Sequence, residues 1–219
     1  MAHAQPITTV DVALFTLSRE RLCVLLARRD KPPFADAWAL PGGFVHPEED
    51  EDLAGTARRV LREKTSAKVS YLEQLCTFSG RARDPRGWSI SVAYYALLPE
   101  GELGALDGEL MQLAPIDKLP SLPFDHRQII ETATTRLRNK ASYSSLPTYL
   151  LAPTFTLAEL KKVYEQVIGV ELERTSFRRN MLAQEVIEPV PGKTRGGAHR
   201  PAQLFRRKGR VLREFDRVL

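Results

Sequence analysis

From Thr8 to Leu98 the apolar residues fall mainly in short runs bounded by turn residues, the spacing of strands rather than long helices. Thr8–Leu17 and Arg21–Ala27 read as consecutive strands joined at Ser18-Arg19-Glu20. Trp38-Ala39-Leu40 runs into Pro41-Gly42-Gly43, a turn signal that ends a strand. Val69–Phe78 and Ser89–Leu98 read as two further strands, separated by the polar, basic loop Ser79–Trp88. Two stretches change period. Asp52–Lys64 places Leu53, Ala57, Val60 and Leu61 at i, i+4, i+7 and i+8, and Phe124–Lys140 places Ile129, Ile130, Ala133 and Leu137 on one face. Both are predicted to be amphipathic helices. Strand, strand, helix, strand, strand, helix predicts an α/β domain over residues 1–142.

Tyr143–Pro153, rich in Ser and Pro, marks a boundary, and a second domain is expected over residues 143–219. Thr156–Ile168 carries Leu157, Leu160, Val163, Tyr164 and Val167 on one helical stripe. Thr154 or Thr156 can cap its N-terminus and Gly169 can end it. A turn at Val170–Glu173 leads to a second helix, Thr175–Gln184, with Phe177 and Leu182 available to hold it on the first. Val186–Val190, a Gly- and Arg-rich loop and Gln203-Leu204-Phe205 follow. Helix, turn, helix, strand, basic loop, strand is the order of a winged helix-turn-helix.

Composition adds one asymmetry. The chain of 219 residues has 43% hydrophobic and 27% charged residues, ordinary for a globular protein. No apolar run approaches the ~20 residues of a membrane helix. Met1–Thr9 lacks a basic segment followed by an apolar core, so no secretory signal is expected and a cytoplasmic location is. Cys23 and Cys76 lie in apolar runs without metal spacing, and are expected to be buried structural thiols. The net charge is +5, yet Ala141–Leu219 holds 14 Lys+Arg against 8 Asp+Glu, so all of the basic excess lies in the last third. A neutral front and a basic back point to a polyanion at the back end.

The stretch from Gly42-Gly43-Phe44 through Arg59-Val60-Leu61-Arg62-Glu63-Lys64-Thr65-Ser66-Ala67 resembles the Nudix box, G-x5-E-x7-R-E-U-x-E-E-x-G-U. In that family a helix projects carboxylates that hold Mg²⁺ against a diphosphate. Arg59 and Glu63 match the motif. Val60 stands where the acid after the Arg is expected, Lys64 replaces the second Glu of the pair, and the segment from Gly43 to Glu51 is two residues longer than the family spacing. One helix carboxylate remains where hydrolysis normally uses three, so no catalytic residue, no metal ligand and no required cofactor is expected. Glu48, Glu49 and Glu51 are the acids that could supply other ligands to a hard metal.

Beyond the box, Trp38–Phe44, Leu72–Thr77, Arg83–Ser89, Pro123–His126 and Ser176–Arg179 are similar to the Nudix-related transcriptional regulators of NAD metabolism. The resemblance implies an α/β/α Nudix sandwich that has exchanged catalysis for sensing, with ADP-ribose or a related nucleotide as effector; some relatives sense sugars. Gly42, Gly43, Phe44, Arg59, Glu63, Arg83, Asp84, Arg86 and Trp88 are the candidate ligand residues. Arginine forks suit phosphate, and Phe44 or Trp88 can stack on a base or simply pack. Asp84 and Arg86 can also pair with each other across a turn.

Arg174, Thr175, Ser176, Arg178 and Arg179 cluster at the start of the second helix of the back domain, where a recognition helix meets base edges and phosphates. Lys193, Arg195, His199 and Arg200 lie in the expected wing. Together these readings predict a homodimeric repressor that binds a double-stranded operator and responds to a nucleotide. The alternatives are a Mg²⁺-dependent ADP-ribose pyrophosphatase with a nucleic-acid-binding tail and, third, an RNA-binding Nudix protein.

Overall fold

A computed structural model describes residues 5–65, 69–196, 201–209 and 211–215. The chain divides into two compact units, Met1–Thr134 and Thr135–Leu219.

In the first unit, β1 (Ile7–Ser18), β2 (Arg21–Arg28), β3 (Trp38–Ala39), β4 (Gly42–Phe44), α1 (Leu53–Thr65), β5 (Tyr71–Gly80), β6 (Ser89–Leu97) and β7 (Met111–Pro115) precede α2 (His126–Ser142), within which the division between the units falls. Seven strands form one mixed sheet, ordered β3-β2-β1-β6-β5, with β4 also pairing with β1 and β7 with β2. β1 and β6 are parallel; every other pair is antiparallel. Alternation along β1 sorts its side chains. Val10, Val12 and Leu14 join Ala57 and Leu61 of α1 in one core cluster, whereas Asp11, of opposite parity, meets His126 at the start of α2. The two helices therefore cover opposite faces, giving the α/β/α sandwich. At the start of α1, Asp52 accepts the Gly55 N–H at 2.6 Å, satisfying a first-turn donor.

Pro41-Gly42-Gly43 does more than turn the chain. Gly42 and Gly43 are strand residues, in register with Asp11 and Val10. A side chain at Gly42 would place its Cβ 2.1 Å from Asp11 Oδ1, so only glycine lets β4 lie against that carboxylate. Cys23 is buried as expected, and Cys76 is only partly so. Among the described residues no helix is long and apolar enough to cross a membrane.

The second unit continues with β8 (Phe155–Thr156), α3 (Leu157–Ile168), α4 (Arg174–Ala183), β9 (Ile187–Arg195) and β10 (Ala202–Arg207), and its strands form the sheet β8-β10-β9. Thr156, rather than Thr154, caps α3: it accepts from the Glu159 N–H while the Glu159 carboxylate accepts from the Thr156 N–H, a reciprocal capping box. Gly169 closes the helix in the left-handed conformation, φ 85°. α4 is seated by Phe177 and Met181, both buried and one turn apart; Tyr164 of α3 meets the Phe177 ring at 5.4 Å. Leu182, expected to share that role, is 38% exposed, because it sits about 100° around the helix from Met181. The expected Gly- and Arg-rich loop is shorter than its composition suggests, since β9 stays paired with β10 as far as Arg195.

The N-terminus of α4 is capped by Glu173, whose carboxylate accepts from the Thr175 and Ser176 N–H groups at 2.7 and 2.6 Å. Those bonds hold its pKa down to about 2, against 4.5 for an ordinary glutamate. The folded value lies below the unfolded one, so the cap's contribution is complete above pH 4.5 and is lost as pH falls towards 2. Carboxyl-detected NMR titration is expected to find the Glu173 midpoint well below 4.5, with the amides of Thr175 and Ser176 shifting at the same midpoint.

Candidate functional site

The first unit carries a cleft of about 220 Å³ at the ends of β1, β4 and the loop between β5 and β6. Six of the residues singled out in the sequence line it together: Gly42, Gly43, Phe44, Arg83, Asp84 and Arg86. Thr9, Asp11, Arg29, Lys31, Leu40, Phe124 and His126 are among those that join them. Arg59, Glu63 and Trp88 lie outside this lining.

The floor is a buried charge network. Asp11 Oδ2 accepts from Ser91 Oγ at 2.6 Å, and Arg83 Nη2 approaches the same oxygen at 3.4 Å. Arg83 also grips Asp125 with two donors, each at 2.9 Å. His126 Nδ1 accepts the Leu40 N–H at 3.0 Å, and this leaves Nε2 as the ring's donor toward Asp11 Oδ1, 3.5 Å away. Burial pushes the Asp11 carboxyl up, but His126, Ser91 and Arg83 more than offset it and hold it below the usual carboxylate value. Asp11 is therefore an anion fixed by three elements.

Above the floor the charge is positive. Asp84, 2% exposed, accepts from the Arg86 N–H at 2.9 Å and from its guanidinium at 2.7–3.2 Å, so these two residues do pair across their turn. The pairing aims Arg86 rather than hiding it: the side chain remains 35% exposed, with its guanidinium carbon 5.3 Å from the Phe44 ring centroid. Across the cleft Arg29 lies 5.0 Å over Phe124. Burial first, and then the charge of Arg86, hold the Arg29 pKa below its ordinary value. Two guanidiniums that repel one another over aromatic faces form a seat for a dianion flanked by a planar group. Arg29 was not legible as a site residue, because only the pairing of β2 with its neighbours carries it to the cleft. Asp11 was likewise hidden in an apolar strand, and the resemblance over Pro123–His126 gave His126 no role in the site.

Arg59 has a different task. Its Nε and Nη2 donate to the two oxygens of Asp50 at 2.8 and 2.7 Å, and Nη2 also donates to the Phe44 carbonyl at 2.9 Å. This fork ties the lengthened segment after Gly43 to α1, and it lifts the Arg59 pKa while depressing that of Asp50. Glu63 stands on the solvent side of the same guanidinium, 3.4 Å away and 53% exposed. Trp88 is 45% exposed, and its carbonyl accepts the Ile7 N–H.

The donors do not fit the magnesium site of the box. Val60, where an acid is expected, is 2% exposed and packs on Gly43, while Lys64 brings a cation. Gly42→Ala is expected to displace Asp11 and with it the cleft floor. Denaturation followed by the fluorescence of Trp38 and Trp88, both in the first unit, should show that unit destabilised by about 1–3 kcal/mol, the usual cost of overpacking.

In the second unit α4 presents Arg174, Thr175, Arg178 and Arg179 to solvent, with Ser176 half-buried. Among the described residues none of these arginines, nor the exposed Lys193 of β9, has an ion-pair partner. Arg195 is paired instead with Glu159. His199 and Arg200 lie outside the described residues. A capped helix with three exposed guanidiniums beside a basic hairpin is the geometry of a groove-binding helix and wing.

Comparison with known proteins agrees with both halves. The NUDIX domain signature matches residues 7–133, and the NrtR DNA-binding winged helix signature matches residues 147–207. The ADPR responsive transcriptional repressor NtrR of Acinetobacter baylyi is 40% identical over 98% of this chain and 86% of its own length. Shewanella oneidensis NrtR, crystallised with a 27mer DNA, is similar at 38% identity with a TM-score of 0.87, covering 97% of this chain and 99% of that one. The NUDIX domain of the same Shewanella protein, crystallised with ADP ribose, is 39% identical with a TM-score of 0.56, covering 62% of this chain and 90% of that one.

Proposed function

Because the chain belongs to the NUDIX family, in the branch of repressors that carry an NrtR-type DNA-binding winged helix, we propose that it represses transcription by gripping operator DNA with α4 and the β9–β10 hairpin, and that ADP-ribose in the cleft lowers that grip. The observation that carries the reading is the facing pair Arg29 and Arg86, each stacked on an aromatic ring above an anionic floor. A diphosphate supplies the negative charge that offsets the repulsion between the two guanidiniums. The flanking rings suit a base, and Asp11 and Asp84 reject a ligand that brings anionic groups on every side. The metabolite links the repressor to NAD metabolism.

Binding is separate from turnover in this reading. With Val60 and Lys64 in place of acids, ADP-ribose incubated with the protein and Mg²⁺ is expected to be recovered intact. Release of AMP would favour the pyrophosphatase instead. The operator-bound form is a homodimer, since two-fold sites are read by two-fold proteins. For ADP-ribose to regulate, it must bind the DNA-competent and incompetent states with different affinities.

The test is fluorescence anisotropy on duplex DNA from the region upstream of the chain's own gene, at fixed salt, with and without ADP-ribose. Sequence-selective binding that ADP-ribose weakens is the expected result. Binding indifferent to ADP-ribose would remove the effector, and preference for single strands would point to RNA.

A further inference from the structure

The wing carries two cations on β9, Lys193 and Arg195, and the fold treats them differently. Lys193 is exposed and, among the described residues, has no ion-pair partner. Arg195 is at the last paired position of the hairpin, opposite Ala202 of β10. The order β8-β10-β9 puts β10 between Arg195 and the start of α3, and the residue it offers at that point is a small one. The Arg195 guanidinium reaches Glu159 Oε1 with Nη1, and Nη2 approaches the Thr154 carbonyl at 3.5 Å.

Glu159 is not a loose surface acid. Its other oxygen accepts the Thr156 N–H at 2.7 Å and the Thr156 hydroxyl at 3.1 Å, as the acidic half of the α3 capping box. The carboxylate is thus already oriented before Arg195 arrives, and less side-chain freedom is lost on pairing than at most exposed pairs. A second anchor lies on the adjoining strand. Gln203 Nε2 donates to the carbonyls of Val190 and Lys193 at 2.9 and 3.2 Å, across the irregularity between Gln203 and Phe205.

We infer that Arg195 is a positioning residue for DNA binding: through Glu159 it ties the wing to the capped N-terminus of α3, and it leaves phosphate contact on β9 to Lys193. The inference rests on the DNA-binding reading above. It reverses the simple expectation that every wing arginine meets a phosphate. It also assigns Glu159, an acid in a basic domain, a favourable role in binding a polyanion.

Glu159→Gln decides between the two roles because they give opposite signs. Glutamine keeps the capping box, so α3 remains intact. If Arg195 contacted phosphate, removing the neighbouring negative charge would free the guanidinium and tighten DNA binding. If Arg195 positions the wing, E159Q weakens binding. Anisotropy titrations of the full chain on the same upstream duplex, over a range of salt, are expected to show E159Q and R195Q each weaker by about two- to fivefold. The double variant should be no weaker than R195Q alone, as for two residues acting through one interaction. The salt dependence should keep most of its slope in R195Q, whereas K193Q should lower it by about one. Tighter binding by E159Q, or a fall of about one in the slope for R195Q, would overturn the inference while leaving the protein a DNA binder. No duplex binding by the unaltered chain would overturn both.

Discussion

Replacing Arg83 by methionine is expected to lower the stability of the first unit by about 3–5 kcal/mol, the usual result of removing one member of a buried charge cluster. Arg83 is 7% exposed and stands between Asp11 and Asp125, themselves 10% and 16% exposed. Methionine fills much of the volume but supplies no donor, so Asp125 loses both of its guanidinium bonds and Asp11 keeps only Ser91 and His126. The chain's two tryptophans, Trp38 and Trp88, both lie in the first unit, so intrinsic fluorescence during denaturation reports on that unit selectively. A midpoint lower by roughly 6–20 °C corresponds to this loss. The pH dependence has a definite sign. Wild-type Asp11 is held below its unfolded value near 3.8, so its contribution is present above that pH and lost as pH falls through the folded value. In the variant Asp11 lacks one of the charges that hold its carboxyl down, so less of its contribution is left to lose in acid. The stability gap is therefore expected to narrow on acidification. A gap that is small at neutral pH would mean that Arg83 is not what satisfies the two acids.

The second large effect belongs to α4. Changing Arg174, Arg178 and Arg179 together to alanine is expected to weaken duplex binding on the order of 10³-fold, taking each as a base or phosphate contact of about 1–3 kcal/mol. The more specific signature is the salt dependence. Three phosphate contacts contribute a slope of about −2.7, and they account for roughly 40-fold in affinity between about 50 and 200 mM salt. All three side chains are exposed, while Phe177 and Met181 alone seat the helix, and alanine is the strongest helix former. Helix content and ADP-ribose binding should therefore be unchanged. An unaltered slope would place the DNA elsewhere on the protein.

Much of this molecule is readable as a string. The short apolar runs of β1, β2 and β6, buried on both faces of the sheet, and the 3.6-residue stripes of α1 and α3 reveal the sandwich and the first winged-helix element, because burial leaves a run in a covered strand and a stripe on a half-covered helix. Short pieces escape that logic. β3, β4 and β8 are two or three residues long, too brief for any period, and exist because a neighbouring strand offers unpaired hydrogen-bonding groups. The extent of the wing also escaped, since pairing with β10 outweighs the loop character of Gly192, Lys193 and Thr194.

The same division runs through the sites. The altered box, with Val60 and Lys64 where acids belong, and the arginines at the start of α4 are local facts, carried by residues adjacent in sequence or one helical turn apart. Sequence by itself determined what chemistry is present: few helix carboxylates, forked cations near glycines, a basic second half. Tertiary structure alone decided which groups meet. Asp11 within β1, Arg29 just past β2, Arg83 in the loop after β5 and His126 at the start of α2 are far apart in sequence, and only sheet pairing makes one cleft of them. It decided, too, that Arg59 serves Asp50, and that Arg195 serves Glu159. Partner choice between charges depends on separation through space and on burial, and neither quantity is written in the order of residues.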